Sequence, residues 1–124
     1  MMIKLVYCLM RMPNLSREEF QKYWRETHAP LVKERAATLG IKRYVQVHTI
    51  DSGFDAALRS SRGSNEEAFD GVAELWWEDT GSLASSTATD EARKASRELL
   101  EDEGNFIDFS RSVIFVAEEY PVVG

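Results

Sequence analysis

Four stretches of the chain carry strand-like patterning and separate regions carry helical spacing. In Ile3 to Met12, the residues Ile3, Leu5, Tyr7 and Leu9 share one parity and Val6, Cys8 and Met10 the other, so both faces are apolar. Pro13-Asn14 closes the segment as a turn. Ser16 and Glu19 form an S-x-x-E capping box, which predicts a helix from about Arg17. Phe20, Tyr23, Trp24 and Thr27 follow at helical spacing as its inner stripe. Pro30 disfavours helical geometry at Ala29 but suits a first helical turn. The sequence therefore predicts a break at Thr27-His28-Ala29 and a second helical piece from Pro30 to Leu39, stopped by Gly40.

Ile41 to Ile50 alternates, with Arg43, Val45 and Val47 against Tyr44, Gln46 and His48, and reads as a second strand. Asp51 to Asp70 has room for at most one helical turn, around Ala56 to Arg59; so long a connection suggests a mobile or functional loop. Gly71 to Glu78 is a third strand, with Val72, Glu74 and Trp76 on one face and Ala73, Leu75 and Trp77 on the other. After a turn at Asp79 to Gly81, the residues Ala92, Ala95, Leu99 and Leu100 mark a helix that Gly104 stops. Ser112 to Tyr120 is the fourth strand, ended by Pro121.

The resulting β-α-β-β-α-β order suits an α+β, ferredoxin-like fold, a four-stranded antiparallel sheet with both helices on one face. Such a sheet usually turns polar residues outward on its bare face. Here large apolar residues occupy both parities: Leu5 and Val6, Leu75 and Trp76, Phe115 and Val116. The expected remedy is a second copy packed sheet to sheet about a two-fold axis, a homodimer that encloses a space for a small-molecule ligand. A loop or the C-terminal tail folded over the face is the alternative. On this reading Val45 and Val47 point to the helices, and Tyr44, Gln46 and His48 line the enclosed space.

Length and charge narrow the class. Residues 1–124 fit a single domain, and 44% hydrophobic against 29% charged residues describe a folded chain. With 15 basic and 21 acidic side chains the net charge is −6, which argues against nucleic-acid or anionic-membrane partners. The run Leu5 to Met10 is too short to cross a bilayer, and Arg11 follows it without a cleavage signature, so a cytoplasmic location is expected. No phosphate-binding glycine loop and no zinc-spaced Cys/His cluster occurs, and Cys8 is a lone strand cysteine. The expectation is therefore no metal and no cofactor of its own.

His28 is the first candidate for chemistry, since a histidine held at a helix break can move protons near neutral pH; the bland role is to cap the break. His48, with Tyr44 and Gln46, lines a cavity, fills core space with buried partners, or lies on a solvated edge. Glu74 sits among apolar neighbours as a second acid/base group or, more commonly, as an ion-pair partner of Arg11 or Arg43. Trp24, Trp76 and Trp77 are core mass, or one of them stacks on a flat ligand.

The segments Leu15-Ser16-Arg17-Glu18-Glu19-Phe20 and Tyr23-Trp24-Arg25-Glu26-Thr27-His28-Ala29-Pro30-Leu31 resemble the EthD family. So do Arg43-Tyr44-Val45-Gln46, Ala57-Leu58-Arg59 with Ser61-Arg62-Gly63, Asp70 to Trp77, Glu103 with Asn105 to Asp108, and Glu118-Glu119-Tyr120. The resemblance covers nearly the whole chain and implies a dimeric α+β barrel of ferredoxin-like protomers. It says less about activity, because relatives resemble cofactor-independent isomerases, cyclases, decarboxylases, dehydratases or small monooxygenases. It implies that His28 and Tyr44 are the working groups of the cavity. The combined expectation is a cofactorless enzyme on a small, largely apolar, oxygen-bearing compound. In it His28 moves a proton, Tyr44 and His48 hold an oxygen, and Trp24, Gln46, Glu74 and Trp76 contact substrate beneath an Asp51–Asp70 lid. A non-catalytic accessory protein to an oxidoreductase is the alternative, and an assembly module with a filled barrel a third.

Overall fold

The computed structural model describes residues 2–124. Four strands, β1 (Ile3–Leu9), β2 (Arg43–His48), β3 (Gly71–Trp77) and β4 (Val113–Glu118), make one sheet in the order β2-β3-β1-β4, and every pairing is antiparallel. This is the ferredoxin-like α+β arrangement that the element order predicts. The helices α1 (Arg17–Tyr23), α2 (Ala29–Leu39) and α5 (Asp90–Glu103) supply the residues that bury one face. Two shorter helices, α3 (Phe54–Ser61) and α4 (Thr80–Ala84), lie in the connections. The long loop thus holds a two-turn helix rather than the single turn expected. Its Phe54 and Leu58 stay exposed, so no core contact betrays α3 in the hydrophobic pattern.

The capping box forms as predicted: Ser16 Oγ accepts from the Glu19 amide, and the Glu19 carboxylate accepts from the Ser16 amide. The predicted break at Thr27-His28-Ala29 does not occur. Instead Trp24–His28 is a π-turn that joins α1 to α2 without interruption, with the Ala29 amide donating to the Trp24 carbonyl. A turn widened by one residue lets the helix pass Pro30, which has no N–H to give, and such single π-turns gather at functional positions. Gly40 does end α2, at φ 73°, where a side chain would be strained.

The core has two parts. Leu9, Phe20, Trp24, Ala73, Phe106 and Ile107 form the first, in which Phe20 lies 5.7 Å from Trp24 and 5.4 Å from Phe106 between ring centres. Each tilted aromatic pair adds about 1 kcal/mol beyond the area it buries. Val32, Leu39, Ala92, Ala95 and Leu99 join α2 to α5 in the second, and Tyr44 packs against both. Gly71 opens β3 because the Trp24 indole rests on its backbone; a Cβ there would lie 2.4 Å from the ring.

Register settles which side chains share a face. Tyr44, Gln46 and His48 pair with Leu75, Ala73 and Gly71, so all three point toward the helices. Val45 and Val47, expected under the helices, lie on the open face with Val6, Glu74, Trp76 and Phe115. The reason is Trp24: only the backbone of Gly71 admits it, which fixes the parity of β3 and, through pairing, of β2.

Candidate active site

Three elements converge beneath the π-turn. That turn buries His28, whose ring lies 5.1 Å from Phe106, and its Nδ1 sits 2.7 Å from Asp102 Oδ2 at the end of α5. Asp102 Oδ1 accepts from the Tyr23 hydroxyl at 2.6 Å, while Asn105 donates to Tyr23 Oη at 3.2 Å and to Asp102 Oδ1 at 3.4 Å. A carboxylate on Nδ1 assigns the proton there and leaves the Nε2 lone pair free. Among the described residues every side-chain nitrogen or oxygen sealed from solvent has a partner. Nε2 has none, so it borders space that solvent reaches.

Burial pushes the His28 pKa down, and the hydrogen bond and charge of Asp102 only partly offset this, so the neutral imidazole dominates at pH 7. For Asp102 burial works toward the neutral acid, but hydrogen bonds from Tyr23 and His28 outweigh it and hold the carboxyl below its usual range. The pair is therefore a neutral base backed by a fixed anion.

On the sheet side, Gln46 is the hub. Its amide donates to the Trp24 carbonyl at 3.0 Å and to Tyr44 Oη at 2.8 Å, and its carbonyl accepts from His48 Nε2 at 2.8 Å. The His48 ring stacks on Trp24 with ring centres 4.5 Å apart. Tyr44 accepts here without donating its own proton to any described residue. His48 is thus held half-buried between Gln46 and Trp24, and burial and the nearby Arg25 charge both push its pKa down.

Four residues of the site, Tyr23 and Asp102 with Tyr7 and Glu103 beside them, were not among the sequence candidates. Glu103, beside Asp102, is raised to about 7, chiefly by burial and also by the Asp102 charge, while a hydrogen bond from Tyr7 works against the rise. Burial and Glu103 together push the Tyr7 phenol up. Tyr7, Tyr23, Asp102 and Glu103 join the site. A signal existed: Ala92, Ala95 and Leu99 advance at helical spacing, and the next positions on that buried stripe are 102 and 103.

Glu74 and Trp76 stand apart. Strand alternation places them on the open face, away from His28, Tyr44, Gln46 and His48. Glu74 pairs with Lys4 at 2.6 Å rather than with Arg11 or Arg43. Trp76 donates to Glu119 at 2.8 Å and is flanked by Lys4 and Arg43. Arg11 instead serves Asp70, a fully buried carboxylate that also takes a bond from Arg17 and so ties the end of β1 to α1. Among the described residues no His/Cys/Asp/Glu group has the makings of a metal site, and no helix is long and apolar enough to cross a membrane.

Comparison with known proteins agrees on the architecture. The model of the EthD domain matches residues 12–110. An ethyl tert-butyl ether d (EthD) family protein from Bacillus halodurans superposes with a TM-score of 0.63 at 22% identity, covering 97% of this chain and all of the other (100%). A dimeric ferredoxin-like protein of unknown function from Bacteroides fragilis gives 0.60 at 9% identity, covering 95% and 96%. A hydroxynitrile lyase from Passiflora edulis gives 0.59 at 9% identity, covering 97% of each chain.

Proposed function

The chain belongs to the EthD domain family, and from that premise we propose that it binds a small, largely apolar, oxygen-bearing compound between helices and sheet and moves a proton on it with His28, without a resident cofactor. The observation that carries this reading is the buried His28–Asp102 pair, with Nδ1 held at 2.7 Å and Nε2 left open. Nε2 takes a proton from a C–H beside a carbonyl or from a hydroxyl. Asp102 offsets the charge of the imidazolium, and the proton then returns to another atom of the same compound or to its leaving group. The unshared Tyr44 proton is the donor for the oxygen on which negative charge develops. Trp24, Gln46 and His48 fix Tyr44 rather than react. Glu103, half-protonated near neutral pH, is a second proton carrier.

The test is a panel of small ketones, lactones and hydroxynitriles incubated in heavy water, with deuterium uptake or product formation read by NMR. His28→Ala lowers the rate at least about 100-fold, while the melting temperature changes by only a few degrees; a rate indifferent to His28 overturns the reading. A compound retained through purification but never converted favours the accessory-protein alternative.

The functional unit in this proposal is a homodimer. Val113, Ile114, Phe115 and Val116 of edge strand β4 are 47–56% exposed, on both faces, and Tyr120, Val122 and Val123 beyond it are more exposed still. That is more contiguous apolar surface than a monomer usually leaves in water, and the Bacteroides neighbour is itself described as dimeric. Small-angle scattering is expected to give twice the 14.1 kDa chain mass, and a lone 14.1 kDa particle overturns the dimer.

A further inference from the structure

The β2 edge of the sheet gathers positive charge. Along the β2 edge, a cleft of about 540 Å³ opens between the start of α2 and β2, with Tyr44 in its lining. Its floor is apolar: Val32 is buried, and Ala29, Ala36 and Ile41 are partly so. Its rim carries Arg25, Lys33, Lys42 and Arg43, all exposed, and no carboxylate lines it. In a chain of net charge −6, four cations gathered without one acid depart from the rest of the surface.

None of the four makes a side-chain ion pair among the described residues; the basic side chains that do are Lys4, Arg11, Arg17, Arg35, Arg93 and Arg111, together with His28. Arg43 stacks on Trp76 and feels Glu119 across the sheet. Arg25, Lys33 and Lys42 make no ion pair among the described residues, as is also true of Lys22, Arg59, Arg62, Lys94 and Arg97. Among the described residues, only at this cleft do such cations line one apolar pocket without a carboxylate. Clustered like charges repel and are retained at a cost unless an anion joins them. The volume lies in the range of small-ligand sites, which join an apolar body to a few placed charges.

We infer that this cleft selects a small amphiphilic carboxylate, its hydrocarbon body on the Val32–Ile41 floor and its acid group among the rim cations. The far end of that body reaches Tyr44, so the inference names a substrate class for the site proposed above and rests on that reading for turnover, though not for binding. The cations act twice. They draw the anion in from solution, and they fix which end of it points away from the hydrogen-bond chain of Tyr44, Gln46 and His48. The acidic, apolar tail of a second copy is the competing occupant. The cleft joins an apolar floor and half-buried Tyr44 to a rim of cations with no carboxylate, which favours a small amphiphilic anion.

The probes are 2-naphthoate and its uncharged analogue 2-acetonaphthone, titrated into the full-length protein and followed by amide chemical shifts. Naphthoate should shift residues of the 29–36 and 41–44 segments and bind about tenfold more tightly than the ketone, with added salt weakening only the anion. Lys33→Gln with Lys42→Gln should remove most of that preference and leave ketone binding unchanged. Equal affinity for the two probes overturns the inference, and so do shifts elsewhere in the fold. A naphthoate affinity that falls as protein concentration drives dimerisation assigns the cleft to the partner's tail and also overturns it. His28→Ala should keep the preference for naphthoate while losing turnover of any panel compound the parent converts, which supports both readings. Equal probe affinities in a parent protein whose turnover still depends on His28 sink this one alone.

Discussion

The two faces of the sheet use overlapping residue types to opposite ends. Under the helices, buried His28 and half-buried Tyr44, Gln46, His48 and Asp102 are hydrogen-bonded and packed near Trp24 and Phe106. On the open face Glu74 and Trp76, with as much chemical capacity on paper, are tied to Lys4, Arg43 and Glu119 amid valines and Phe115. Neither residue type nor burial alone separates the faces, since Trp76 is buried too; the partner each group meets does. A carboxylate that meets a lysine at 2.6 Å in part-exposed surroundings is a fastener. One set beside another carboxylate, as Glu103 is beside Asp102, has its pKa pushed up to about 7, chiefly by burial.

The sharpest way to break this contrast is Gly71→Ala. The new methyl would collide with the Trp24 ring at 2.4 Å and with the Val47 carbonyl at 2.8 Å. Denaturant unfolding should show a loss of about 3 kcal/mol, and the His48–Trp24 stack should be displaced in NMR spectra. An unaltered stability would mean that Trp24 does not set the parity of the sheet.

Glu103→Gln tests the covered face by pH. The native carboxyl titrates at about 7, above its ordinary 4.5, so between those values the folded state keeps a proton that the unfolded state has released. Native stability is therefore greatest below pH 4.5 with respect to this group, falls as pH rises through 7, and carries the whole cost above it. The substitution replaces the carboxyl with an amide that never ionises. The variant should be more stable than the parent by about 2 kcal/mol at pH 8, and the gap should close by pH 4 in urea titrations. The smallest effect belongs to the open face: Glu74→Gln should cost under about 1 kcal/mol and leave turnover untouched. A large loss of turnover there would place chemistry on the wrong side of the sheet.

The elements were legible because their signals are local: the Ser16–Glu19 box, the 20-23-24-27 stripe, the alternation of Arg43 to His48, Gly40 as a stop. His28 could be singled out as a histidine beside Pro30 at an expected helix break, and Tyr44 and Gln46 as polar groups on a strand face that ought to be enclosed. Less legible was the course of the chain at Pro30, since a π-turn and a break place the same residues in the same order. Tyr23, Asp102 and Glu103 escaped notice because each looks ordinary in its own helix, an aromatic in a stripe and two acids among several. Only the approach of α5 to the π-turn makes them a unit.

Periodicity and capping in the sequence alone thus determined the elements, their order and the apolar character of both sheet faces, since these depend on neighbours a few positions apart. The tertiary structure decided which parity of β2 faces the helices, which carboxylate meets His28 and where the unpaired cations gather. Each of those turns on how separate elements pack. The Trp24 indole on Gly71 sets the sheet parity, the approach of α5 brings Asp102 to His28, and the packing of α2 beside β2 gathers the cations.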